Sequence, residues 1–120
     1  MAYDEAFAER IRDLLGGEPL ITEKRMFGGL AFLVGGNMAV AVGQGLLARM
    51  EPDLADRLSQ GEHVSTAIMG GRSMRGWLRI APEGVATDED LRAWVDRSVA
   101  FCRALPVKDR IVGTPIGRAD

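Results

Sequence analysis

One cysteine and one histidine are all that this 120-residue chain offers to thiol or imidazole chemistry. Cys102 alone cannot close a disulfide within the chain, which fits a reducing compartment. A structural zinc centre needs about four ligands, mostly Cys and His, so His63 and Cys102 cannot build one in a single chain. A carboxylate-only magnesium or calcium site stays open, but no EF-hand spacing occurs. No apolar run approaches the ~20 residues of a membrane span. The chain opens on Asp4, Glu5, Glu9 and Asp13, and no apolar block follows a basic start. Nothing there reads as a secretory leader, and the expected location is the cytoplasm. There is no internal repeat, no low-complexity stretch, no dinucleotide-binding glycine fingerprint and no phosphate-loop motif.

Much of what is present points to architecture. Hydrophobic residues make up 47% and charged residues 27%, an ordinary balance for one globular domain with its own core. The net charge of −2 excludes a polycation that binds nucleic acid by bulk charge. The layout of charge is more informative. Residues 24–50 hold Lys24, Arg25 and Arg49 and no acid, and residues 64–82 hold Arg72, Arg75 and Arg79 and no acid. The acids fall in segments with helical spacing and on their flanks, where first turns favour them.

Tyr3, Phe7, Ile11, Leu14 and Leu15 recur at three- and four-residue spacing, which predicts a helix over 4–15 ended by Gly16-Gly17. Short apolar segments between glycine turns then predict a meander over 21–50: strands at 21–27, 30–34, 38–42 and 46–50. Pro52 opens a short helix that Gly61 closes. Strands are expected at 64–69 and 74–81, with a turn at Gly70-Gly71-Arg72-Ser73. Thr87 caps a last helix whose face is marked by Leu91, Trp94, Val95, Ser98, Val99, Cys102 and Leu105. Residues 1–106 read as one domain and 107–120 as a loosely attached tail. The fold class is α+β: a two-layer sandwich of helices on an antiparallel sheet of five to six strands. The central strands are apolar at successive positions, so both their faces must leave water. Helices can cover one face, and a second copy of the chain is the expected cover for the other.

No residue set has the spacing of a catalytic site, so no catalytic residue, metal or cofactor is expected. Cys102 reads as a core residue, His63 as a solvated loop residue, and the glycine pairs as turns between strands. Arg72 to Trp77 is the best local binding candidate, with two guanidiniums and an indole close together. A non-enzymatic domain that works through contacts, homodimeric, is therefore expected. Its partner-binding candidates are Lys24, Arg25, Phe27, Arg72, Arg75 and Trp77, with Phe32, Val34 and Val40 as further apolar contacts. The rival readings are nucleic-acid binding by the basic strand face and a small-ligand or enzyme site near His63.

Four pieces carry a resemblance: Glu23 to Phe32, Gly36-Asn37-Met38, Gly71 to Trp77, and Leu91 to Val95. Together they resemble the N-terminal domain of the TfoX/Sxy competence-regulator family, from about Met1 to Lys108. The resemblance implies a fold similar to type III secretion chaperones, with an antiparallel sheet and often a dimer. It also implies a regulatory or adaptor domain, linked to the regulation of natural competence genes together with a cyclic-AMP-dependent activator. Full-length family members carry a second, helical domain, whereas about a dozen residues follow Pro106 here. The resemblance supplies no catalytic residues.

Overall fold

The computed structural model describes residues 3–26, 28–108 and 113–116. Asp4 starts helix α1 (Glu5–Leu15), its carboxylate accepting from the backbone N–H groups of Ala6 and Phe7 at 2.9 and 3.2 Å. The cap satisfies donors that a first turn leaves without partners. Phe7, Ile11 and Leu15 share the buried face that their spacing requires. The chain then runs through an antiparallel meander of β1 (Ile21–Met26), β2 (Gly29–Val34), β3 (Asn37–Val42) and β4 (Leu46–Arg49). Gly29 is a point of close approach: a Cβ there would lie 2.2 Å from the Val42 carbonyl oxygen.

Helix α2 (Pro52–Leu58) is capped by Glu51, which accepts from Asp53 and Leu54 N–H at 3.1 and 2.9 Å. A hairpin follows, β5 (Val64–Met69) and β6 (Arg72–Ile80), then a 3-10 turn at Pro82–Val85 and helix α3 (Asp88–Arg103). The Thr87 hydroxyl accepts from Asp90 N–H at 3.1 Å, the cap expected from the sequence. A last short strand, β7 (Thr114–Pro115), pairs with Thr22 and Glu23 of β1. The sheet has the order β5-β6-β4-β3-β2-β1-β7, and every pairing is antiparallel.

The α+β two-layer class is as expected. The sheet gains a seventh strand because part of the expected tail pairs with β1. The tail is tied earlier as well: Lys108 N–H donates to the Gly35 carbonyl at 2.9 Å, and the Asn37 amide donates to the Pro106 carbonyl at 3.0 Å. Arg72 and Ser73 belong to β6 and not to the turn, because Gly70 and Gly71, with φ of 59° and 80°, make that turn by themselves.

Helices α1 and α3 cover one face of the sheet. Leu30, Phe32, Val34, Val40, Leu46 and Leu78 meet Ile11, Leu91 and Val95 there in one core. Arg12 clamps α1 to β1, donating to both Glu23 oxygens at 2.8 Å and to Glu9 at 2.6 Å. The Glu23 bonds raise its pKa further above an already high value, against the opposing effect of burial. Phe32, Val34 and Val40 are 0%, 2% and 0% exposed in this core. They are corrected here from contact-surface residues to core residues, since strand alternation turns them toward the helices.

All six residues of β2 are buried within the single chain. The second copy invoked to bury that strand is therefore not needed for the purpose. Part of the cover is the β5–β6 hairpin. Its tip residues Met69 and Gly70 line one cavity with Met26 of β1 and Ala41 of β3. In a flat sheet, β5 and β1 would stand about 24 Å apart, at ~4.8 Å per strand. The sheet must curl to bring them together. The register slips between Thr66 and Ile68, and Gly76 has a φ of 90°, which marks the bend.

Ser98 lies on the core side of α3 with its hydroxyl buried and without a hydrogen-bond partner among the described residues. Ser98→Ala is expected to raise stability by about 1 kcal/mol, measured by urea unfolding, because it removes an uncompensated buried polar group.

Candidate functional site

Two strand cations, Arg79 of β6 and Lys24 of β1, emerge on the helix-free face of the sheet. Strand alternation decides which residues it carries. On β6, Leu78 and Ile80 enter the core, so Arg79 emerges on the opposite side. Register then aligns a row across the sheet. Arg79 lies opposite Leu47, Leu47 opposite Ala41, Ala41 opposite Ala31, and Ala31 opposite Lys24. The row has a cation at each end, a trough of small and apolar side chains between, and no carboxylate. Ser65 of β5 stands beyond Arg79. The hairpin tip overhangs the trough and closes a cavity of about 350 Å³ whose walls include Met26, Ala41, Leu47, Met69 and Arg79.

Neither Arg79 nor Lys24 has an ion-pair partner among the described residues, while Arg10, Arg12, Arg75 and Arg103 each have at least one. A second cavity, of about 400 Å³, adjoins the first at Gly45 and Arg79 and is lined further by Gln44, His63 and Ser65. His63 has a φ of 69°, a conformation sparsely populated by non-glycine residues. Among the described residues, no three of His, Cys, Asp and Glu gather as a metal-holding group, and no helix is long and apolar enough to cross a membrane.

The candidates from the sequence do not form one patch. Lys24 is exposed on the helix-free face. Arg25, its neighbour, lies on the other face of β1 opposite the core residue Leu30, because alternate side chains leave a strand on opposite sides. Phe27 lies outside the described residues. Arg72 is exposed in the hairpin. Arg75 is held against α2 by Asp53 at 2.6 Å and Asp56 at 3.1 Å, and the Asp56 bond leads the causes that raise its pKa. Trp77 is half-buried with the Arg49 guanidinium 5.4 Å from its ring centre, and the same guanidinium lies 5.3 Å from the Phe101 ring. Two cations and the indole are thus engaged within the chain. Arg79, Leu47 and Met69 were missed. The signal for Arg79 was present, since it alternates with Leu78 and Ile80, but nothing local brings Met69 to Met26.

The family model of the TfoX N-terminal domain matches residues 13–102. The chain belongs to that family. No curated protein and no solved structure matches it. The matched span of the TfoX N-terminal domain contains every strand of the row described above, from Lys24 to Arg79. It ends at Cys102, whose thiol is buried and donates to the Met38 carbonyl at 3.4 Å. Burial pushes this thiol's pKa up, and nearby Arg49 only partly offsets that. Cys102 in the folded TfoX N-terminal domain is therefore expected to react with a thiol-specific disulfide reagent only as fast as the domain opens, whereas the denatured chain reacts at once.

Proposed function

We propose that this domain is a non-enzymatic regulator or adaptor in the cytoplasm, and that it holds a protein partner on the helix-free face of its sheet. The row from Arg79 through Leu47, Ala41 and Ala31 to Lys24 carries the reading. Apolar area in the trough supplies affinity, and a lone cation at either end sets orientation. The complementary partner segment is apolar at its centre and acidic toward both ends. Nucleic-acid binding is less well supported, because Arg75 is neutralised by Asp53 and Asp56, and Arg49 and Trp77 occupy each other.

Affinity capture from the native cell tests the reading, with wild type beside a Lys24→Glu, Arg79→Glu double variant of confirmed fold. A protein kept by wild type and lost by the variant supports it. Equal retention by both, or recovery of nucleic acid with a steep salt dependence, overturns it.

Self-association belongs to the same proposal, with its place moved from the buried strands to the sheet edge. Edge strand β5 carries no charge, and its Ile68 is 60% exposed. Such an edge presents unpaired backbone groups to a second copy. Light scattering at high micromolar concentration should show a dimer that Ile68→Lys converts to monomer, and a wild-type monomer there rejects the dimer.

A further inference from the structure

We infer that the cavity beneath the hairpin tip is a binding site for a monocarboxylate with an apolar tail. The chemistry of its walls carries this. Among the described residues, Arg79 is the cavity's single charged group, and neither this cavity nor the one adjoining it at Arg79 is lined by any Asp or Glu. The other cavities differ. One places Arg10 beside Asp4, and another surrounds Arg12 with Glu5 and Glu23. The second also holds Lys24 and Arg25, but Arg10 and Arg12 are each paired with a carboxylate, while Arg79 has no such partner among the described residues. A guanidinium on apolar walls matches a carboxylate through two parallel N–H donors.

The rest of the lining selects what is attached to that carboxylate. Met26, Ala41, Leu47 and Met69 offer no hydrogen-bonding side chain except the weak thioether acceptors of the two methionines. Unbranched thioether side chains adapt their rotamers to an aliphatic or aromatic tail. At about 350 Å³ the cavity falls in the size range of small-molecule sites. A phosphate group fits less well, since a single cation cannot balance its charge. Two sources share the chemistry: a free apolar acid, or the C-terminal carboxylate of an apolar peptide. The inference rests on the reading of the helix-free face only in sharing Arg79 with it.

Methyl spectra of protein labelled with carbon-13 at its methionines provide the test. Octanoate should shift Met26 and Met69 and leave Met50, which is 1% exposed in the core, in place. Arg79→Gln should weaken the response about tenfold or more, the loss of a charge-assisted pair, while Arg92→Gln should not. Octanol, with the same tail and no charge, should bind as poorly to wild type as octanoate does to Arg79→Gln. Acetyl-trileucine with a free C-terminus, set against its amide, separates the two sources. A response to octanoate alone assigns a free acid, and a response to the peptide acid but not the amide admits a chain terminus. The inference is overturned if the Met26 and Met69 methyls stay in place at tens of millimolar octanoate. It is overturned equally if octanol matches octanoate, or if Arg79→Gln leaves the response unchanged. Loss of partner capture in the charge-reversed variant without any octanoate response removes this inference and leaves the contact-face reading standing. An octanoate response without loss of capture does the reverse.

Discussion

Phe32→Ala is expected to cost the domain about 3–5 kcal/mol of folding stability. Phe32 is the largest side chain with no exposure, and it sits mid-strand in β2 between Glu23 of β1 and Val40 of β3. Its ring is packed in the core between the sheet and the helix layer, so the truncation leaves a cavity that rigid strands on either side cannot collapse. For a chain of this length the loss corresponds to a melting temperature lower by roughly 15 °C. Denaturant unfolding at two protein concentrations checks the size and the origin together. A core residue gives the full loss at both concentrations, whereas a dimer-contact residue gives a loss that grows with concentration. A concentration-independent change below about 1 kcal/mol would place Phe32 elsewhere.

Gly29→Ala is expected to cost about 3 kcal/mol, for a different reason. The added methyl would stand 2.2 Å from the Val42 carbonyl oxygen and 3.3 Å from its carbon. The clash is with backbone, which no rotamer change can move aside, so β2 and β3 must separate locally or Gly43 must shift. Gly28 is the internal comparison. It has a φ of 73° and open space around the position of a Cβ, so Gly28→Ala meets only the cost of a left-handed backbone, about 1 kcal/mol. Thermal unfolding of the two variants side by side decides the matter. Equal effects would mean that β2 and β3 do not approach as closely as described.

These two positions also mark how far the sequence could be read. The helices were legible from spacing, and their starts from Asp4 and Thr87, because caps and amphipathic faces are local devices. The meander was legible from glycine turns. Gly28 and Gly29 look alike in sequence, yet one serves a turn and the other a close approach, because what Gly29 meets is a strand paired from farther along the chain. Phe32, Val34 and Val40 were legible as strand residues but were assigned to an exposed surface. Their burial depends on which face α1 and α3 take, and that choice is made by packing. The cap of α2, Glu51, was not read from the sequence, where only Pro52 marked that start.

The candidate site was legible only in part. Its one-signed charge could be counted along the chain, and Lys24 was named, but Arg79 was counted only as charge and not as a contact. Which cations stay available could not be counted, since the partners are remote: Asp53 and Asp56 reach Arg75 from α2, and the Arg49 guanidinium lies over Trp77.

By itself the sequence determined the α+β class, the order of helices and strands, and the absence of acids from residues 24–50 and 64–82. Each follows from periodicity, turn residues and composition, which act over a few residues. The tertiary structure alone decided the row from Arg79 to Lys24, the curl that brings Met69 over Met26, and the separation of Lys24 from Arg25 across β1. Cross-strand register and sheet curvature join residues far apart in the chain. They are settled by which apolar faces the packed helices cover, a choice that no local pattern records.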